Sequence, residues 1–201
     1  MRKIVAGILL SVAVTLTGGA SFAATQFALD KVHSSVNFAI AHLVVSKVTG
    51  GFDDIDAAVA FDANDLEHSS INATIQVASI NTKNKQRDDH LRSPDFFEVE
   101  KFPTINFTSK KIVMKDAMTY LITGDLTMKG VTHEIEVPVM IMGPIINPMN
   151  QQPILGLEAH FKINRQDYGV KWNKTLDNGG LMLGNDVDVD IAFAVNKIVQ
   201  K

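Results

Sequence analysis

The chain has no cysteine in its 201 residues. Disulfide stapling is excluded, as is a metal site built on thiolates, so stability has to come from core burial. A chain of this length can supply it. Aromatic residues other than phenylalanine are nearly missing, with one Trp and two Tyr. That scarcity counts against a glycan site, which usually presents exposed aromatics. Positive charge is not in excess either: 19 Lys and Arg stand against 22 Asp and Glu. A mildly acidic chain lacks the basic footprint of a nucleic-acid binder or of a protein drawn to an anionic membrane surface. There is no internal repeat of about 20–50 residues. A Gly-x-Ser-x-Gly elbow and a glycine-rich phosphate loop are missing as well.

Long apolar runs are confined to the first residues. Arg2 and Lys3 form a basic start, and Ile4 to Leu16 is apolar apart from Gly7, Ser11 and Thr15. Ser21-Phe22-Ala23 then places small residues where a signal peptidase reads. This predicts a secretory signal over residues 1–23, cleaved after Ala23, and a mature domain over residues 24–201. The run falls short of the ~20 residues that span a bilayer. No transmembrane segment is expected in the mature chain. Without Arg2 and Lys3, 17 basic residues face 22 acidic ones, a net charge of about −5. The expected address is periplasmic.

What is present is alternation. Val36, Phe38, Ile40 and His42 share one face, opposite Ser35, Asn37, Ala39 and Ala41. Period two marks a half-buried strand. The same pattern recurs through Ile55 to Phe61, Ser70 to Ala78, Ile105 to Met114, Thr119 to Met128, Val131 to Ile141, Leu155 to Ile163 and Val187 to Val195. Gly50-Gly51 is expected to bend or bulge its strand, and Lys129-Gly130 to form a tight hairpin turn. Gly143 to Pro153, with its prolines, reads as a long loop, and Asn164 to Gly184 as irregular and glycine-rich. One stretch departs from the pattern: Lys83 to Arg92 is polar and helix-compatible, with Thr82 as its expected cap and Ser93-Pro94 as its stop.

Strands that each bury a single face belong to antiparallel sheets, and one polar helix is too little to cover them. They cover each other, as a sandwich or as a sheet closed into a barrel. A barrel of about eight strands is either filled by its own side chains or leaves room for a small ligand. The mixture of bulky and small inward residues fits both.

Several strings together carry a resemblance. They are Asp30-x-x-His33-Ser34-x-Val36-x-Phe38 with His42 and Gly50-Gly51-Phe52, then Thr82 and Arg87-Asp88-x-His90-Leu91. Asp95-Phe96-Phe97 and Phe102-Pro103-x-Ile105-x-Phe107 follow, then Gly124-x-Leu126-x-x-x-Gly130-x-Thr132 and Asn164-Arg165-x-Asp167-Tyr168-Gly169. In this order and spacing, across nearly all of residues 25–201, they resemble the YceI-like family. The resemblance implies an all-β fold, an antiparallel eight-stranded, lipocalin-like β-barrel with one short helix inserted between strands. It also implies stress-associated periplasmic proteins that bind a polyisoprenoid or similar amphiphilic lipid in the lumen, several of them dimeric, so that a homodimer is admitted. It brings no catalytic residues and no cofactor.

On that basis the apolar lumen is assigned to Val36, Phe38, Ile40, Val59, Phe61, Ile75 and Val77 in the first strands. The middle strands add Ile105, Phe107, Tyr120, Ile122 and Leu126, and the last ones Ile135, Val137, Leu157, Phe161, Ile163, Val189, Ile191 and Phe193. Leu91, Phe96 and Phe97 are assigned to a cap or gate, and His33, His42 and Arg165 to polar contacts.

Chemistry other than binding has weaker support. None of the six histidines pairs with another at i, i+4 on a helix, so no metal site is assigned. His42 and His133 stand in phase with apolar neighbours, which predicts hydrogen-bonded core histidines. Arg87, Asp88, Asp89 and His90 imitate an acid–base cluster, but consecutive helix positions diverge, and no catalytic set is expected. Arg165 and Asp167 read as groups that pin a loop. The methionines, in a compartment where thioethers can serve copper, read more simply as adaptable apolar lining. Met140 and Met142 fall out of phase unless Pro138 shifts the register. The expectation is a non-enzymatic protein that binds, stores or transports a long-chain isoprenoid of polyprenyl or quinone type. The alternative is a stress-associated module for another amphiphile, such as a fatty acid derivative, or for a protein partner.

Overall fold

The computed structural model describes residues 24–175 and 181–199. The expected signal, residues 1–23, lies outside the described residues. The strands are β1 (Thr25–Leu29), β2 (Ser35–His42), β3 (Ser46–Phe52), β4 (Ile55–Phe61), β5 (Ser70–Gln76) and β6 (Ile80–Asn81). Helix α1 (Lys85–Arg92) separates these from β7 (Thr104–Met114), β8 (Thr119–Met128), β9 (Val131–Ile146), β10 (Pro153–Asn164) and β11 (Leu183–Lys197).

These segments make eight antiparallel staves, because three pairs are halves of one bent strand. β1 and β2 both lie antiparallel to β11, Leu29 opposite Val195 and Val36 opposite Ile191. β4 and β3 follow them on the far side, and β5 and β6 follow those in turn. The staves run in sequence order, each paired with the next, and β11 returns to β1 and β2 to close the barrel. Closure removes most free edges, which suits a protein without disulfides.

The bends fall at Asp30–Ser34, at Asp53–Asp54 and at a 3-10 turn, Val77–Ser79. Gly50 and Gly51 are not a bulge: β2 and β3 pair without a register shift from Val36–Phe52 to His42–Ser46. A Cβ on Gly50 would stand 2.6 Å from Phe38 Cζ, so glycine there makes room for the ring opposite. Gly124 does the same for Phe107, at 2.6 Å from Cζ and 2.5 Å from the Thr108 carbonyl. β9 continues to Ile146 through the region read as loop, leaving only residues 147–152 as the turn. Pro138 does not shift the register, since β8 and β9 pair continuously past it, and Met140 lies exposed on the outer face.

Below the bends the ring is hydrogen-bonded throughout and packed solid. Phe27, Val59, Phe61, Ile112, Tyr120, Leu155 and Val195 form one buried cluster. Phe61 and Tyr120 meet edge to face, centroids 5.5 Å apart. Above the bends, β6 turns away from β7, which begins opposite Gln76. The gap in the wall is filled by α1 and by residues 93–103. A helix about 10 Å across stands where strands would sit about 4.8 Å apart, and the ring widens.

The helix begins later than the sequence indicates. Asn84 is the cap, its side chain accepting from Arg87 N, while Thr82 binds elsewhere. Asp88, buried, accepts from Thr82 N at 2.9 Å and Thr82 Oγ1 at 2.5 Å. Arg87 donates to Thr82 Oγ1 and O, and Arg92 to the carbonyls of Ala78 and Ile80. These bonds stitch α1 to the end of the deflected strand.

Candidate functional site

The widened half encloses an apolar cavity of about 450 Å3, within the range of small-molecule sites. Its wall follows from the ladder. Residues directly opposite in antiparallel strands share a face, so Gly50, Phe38, Val189 and Phe161 form one inward row. A second row runs through Phe52, Val36, Ile191 and Ala159. Unlike the packed cluster, Phe38, Ile40, Phe161, Ile163, Val189 and Ile191 are only half-buried, because they face the void.

Most of the residues assigned to the lumen from the alternation border this cavity. They are Val36, Phe38, Ile40, Ile75, Ile105, Phe107, Ile122, Leu126, Ile135, Val137, Leu157, Phe161, Ile163, Val189, Ile191 and Phe193. Four do not. Val59, Phe61 and Tyr120 point inward below the bends and are consumed in the packed cluster. Val77 sits in the 3-10 turn, where period two lapses, and packs with Phe96, Ile105 and Leu126. Leu91, Phe96 and Phe97 border the cavity from the inserted segment. The segment is clamped from the opposite hairpin, where Lys129 Nζ donates to the carbonyls of Pro94 and Phe96. It stands between β6 and β7 and reaches the loop after Arg165, where Phe96 lies 5.2 Å from the Trp172 ring.

Of the assigned polar contacts, His42 and Arg165 border the cavity and His33 does not. His33 is exposed, its Nδ1 2.9 Å from Asp30 Oδ2. Arg165 is buried and donates to the carbonyls of Gly184 (2.9 Å), Val170 (2.6 Å) and Trp172 (2.9 Å). It folds the following loop over the upper end of the barrel, and burial pulls its guanidinium below its ordinary pKa. Its Nη2 has no partner among the described residues. His133 is no core histidine: it is exposed at the upper rim, edge-on to Tyr168 at 5.0 Å, with Nε2 donating to the Asp167 carbonyl.

The charged run on α1 disperses. Arg87 goes to Thr82, Asp88 to Thr82, Asp89 to Lys85 and Arg92, and His90 to Asp95. The His90 ring also stacks edge-on against Phe96 and Trp172, and together with Arg87 it borders the cavity. Among the described residues, no three His, Asp or Glu side chains gather at a metal-holding distance.

Sequence reading missed several wall residues. Val48 and Phe52 alternate with Gly50 on β3 and were legible as inward, had the glycines not been read as a bend. Val170, Trp172, Met182 and Leu183 come from the irregular stretch, where no periodicity signals a side.

Comparison with known proteins agrees with this architecture. Residues 27–195 match the YceI-like domain. A UPF0312 protein of Staphylococcus aureus strain MRSA252 is 45% identical over 163 residues, 81% of this chain and 92% of the relative. The crystal structure of the Campylobacter jejuni YceI protein superposes with a TM-score of 0.68 at 33% identity, covering 85% of this chain and 97% of that one. A polyisoprenoid binding domain from Saccharophagus degradans, implicated in plant cell wall breakdown, shares the fold with a TM-score of 0.66 at 16% identity, covering 86% and 98%. The barrel with its inserted helix, the shared sequence blocks and these matches together assign the chain to the YceI-like family.

Proposed function

We propose that this protein is a periplasmic, non-enzymatic carrier or store of a long-chain isoprenoid lipid, held in the cavity by shape and apolarity. The observation that carries the reading is the unfilled, apolar upper half of a barrel whose lower half is packed. Each buried methylene contributes about 0.8 kcal/mol, so a few isoprene units suffice for firm binding after ordering costs. Several polar groups on the wall are already engaged. Arg87 is held by Thr82, His90 by Asp95, and most of the Arg165 donors by backbone carbonyls. Their placement fits a structural role better than acid–base work. The polyisoprenoid-binding neighbour supports the choice of ligand class.

Native mass spectrometry of protein purified without detergent tests the reading. Exchange with solanesol, a polyprenol, supplies the second arm. Expected is either a co-purifying long-chain lipid or stoichiometric uptake of solanesol. Protein that carries nothing and takes up no polyprenol overturns it.

A further inference from the structure

The hairpin of β2 and β3 projects at the cavity rim and is apolar where a turn is ordinarily polar. Val44 is 80% and Val45 85% exposed, and Leu43 is 36% exposed. Leu43 and Val44 both adopt left-handed backbone, φ 54 and 66. A tight hairpin usually gives that conformation to Asn-Gly, and a β-branched residue adopts it only under strain. The strain and the exposure fall on the same residues, so the turn is kept apolar against local preference.

The hairpin is also loosely held. β3 meets β6 only at Gly51 and Phe52, so among the described residues Ser46 to Gly50 has no ladder partner on that side. On the other side, the register between β2 and β11 shifts between Leu183 and Val187. What ties the tip down is Leu43 N donating to the Met182 carbonyl at 2.8 Å and Lys47 paired with Asp188 at 2.8 Å. His42, Val48 and Met182, which flank the turn, are themselves cavity wall. The exposed apolar tip is therefore joined directly, along the chain and through the Leu43–Met182 bond, to residues that line the cavity.

We propose that this tip is a lipid-bilayer contact, Leu43, Val44 and Val45 inserting into the membrane surface and bringing the cavity rim to the phase that dissolves the ligand. The proposal rests on the isoprenoid reading above. A bilayer is favoured over a protein partner because the tip continues a cavity whose contents would come from lipid. The chain carries no excess of basic residues, so the contact is apolar and does not need anionic lipid.

The test is flotation of the full mature protein with phosphatidylcholine vesicles, at low and high salt. The comparison is a variant carrying Leu43→Asn, Val44→Gly and Val45→Thr. Wild type should float equally at both salts. The variant should lose membrane affinity by about a hundredfold, since each of the two valines removed is worth about tenfold. Its thermal midpoint should hold or rise, because Asn-Gly suits the turn, and its uptake of solanesol from detergent should be unchanged. A variant that floats as well as wild type overturns the proposal. So does a variant whose only change is in oligomeric state, which would make the tip a contact between copies. Wild type that takes up solanesol but does not float refutes the docking and leaves the isoprenoid reading standing. Wild type that floats but neither carries a long-chain lipid nor takes up polyprenol refutes that reading alone.

Discussion

The lower and upper halves of this barrel carry the same alternation of side chains and come to opposite ends. Below the bends Val59, Leu155 and Val195 are at most 1% exposed and belong to one buried cluster. Above them Phe38, Phe161 and Val189, in the same inward phase, stay half-buried around a void. The difference is one of circumference. Eight directly bonded staves make a ring that its own side chains fill. Two seams of the upper ring lack a ladder, since β10 and β9 last pair at Ala159 and Val139 and α1 with the segment after it stands between β6 and β7, and the ring is wider than the same residue sizes can fill.

Large-to-small substitution should separate the halves most sharply. Phe61→Ala removes a ring packed against Tyr120 and should cost about 3–5 kcal/mol in urea unfolding. Phe161→Ala, beside an existing void, should cost less than about 2 kcal/mol and instead enlarge the cavity. Equal costs would mean that the upper half is packed after all.

Small-to-large substitution should give the reverse contrast. Ala57→Leu, buried in the lower cluster, should destabilise by about 1–3 kcal/mol through overpacking. Ala159→Leu should leave stability nearly unchanged while reducing polyprenol uptake, because it projects into the cavity. If Ala159→Leu unfolds the protein, the void is smaller than its wall indicates.

The smallest effect concerns how the upper half is tied. Asp188 is held below the usual carboxylate range, chiefly by its hydrogen bond from Lys47 and then by the Lys47 and Lys162 charges. A lowered folded-state value contributes stability above the unfolded carboxylate pKa of about 4, lost as pH falls through the folded value. Asp188→Asn should therefore lower the thermal midpoint slightly from neutral to alkaline pH and converge with wild type at acid pH, flattening part of the acid limb. An unchanged acid limb would show that the Lys47 bridge does not hold the hairpin.

The alternation made the number of staves, their antiparallel order and the inward set legible, because period two reports which face is buried. It does not report height along the barrel axis. Phe61 and Phe161 are indistinguishable in sequence, and only the bends at Asp53–Asp54 and Val77–Ser79 decide which meets a partner and which meets a void. Val170 and Trp172 escaped notice because a loop pinned by Arg165 needs no periodicity. His133 shows the opposite error: it has the inward phase, but it stands at the rim, where phase no longer implies burial.

The last stave has a consequence in time. β11 pairs with β10 on one side and with both β1 and β2 on the other, setting Phe27 opposite Lys197. The ring therefore cannot close until the final strand has been delivered, and until then the apolar faces of the other staves stay uncovered. Contacts of such long sequence separation form late and slowly. A barrel whose closing stave comes after the other seven in the chain stays open for as long as that stave is withheld.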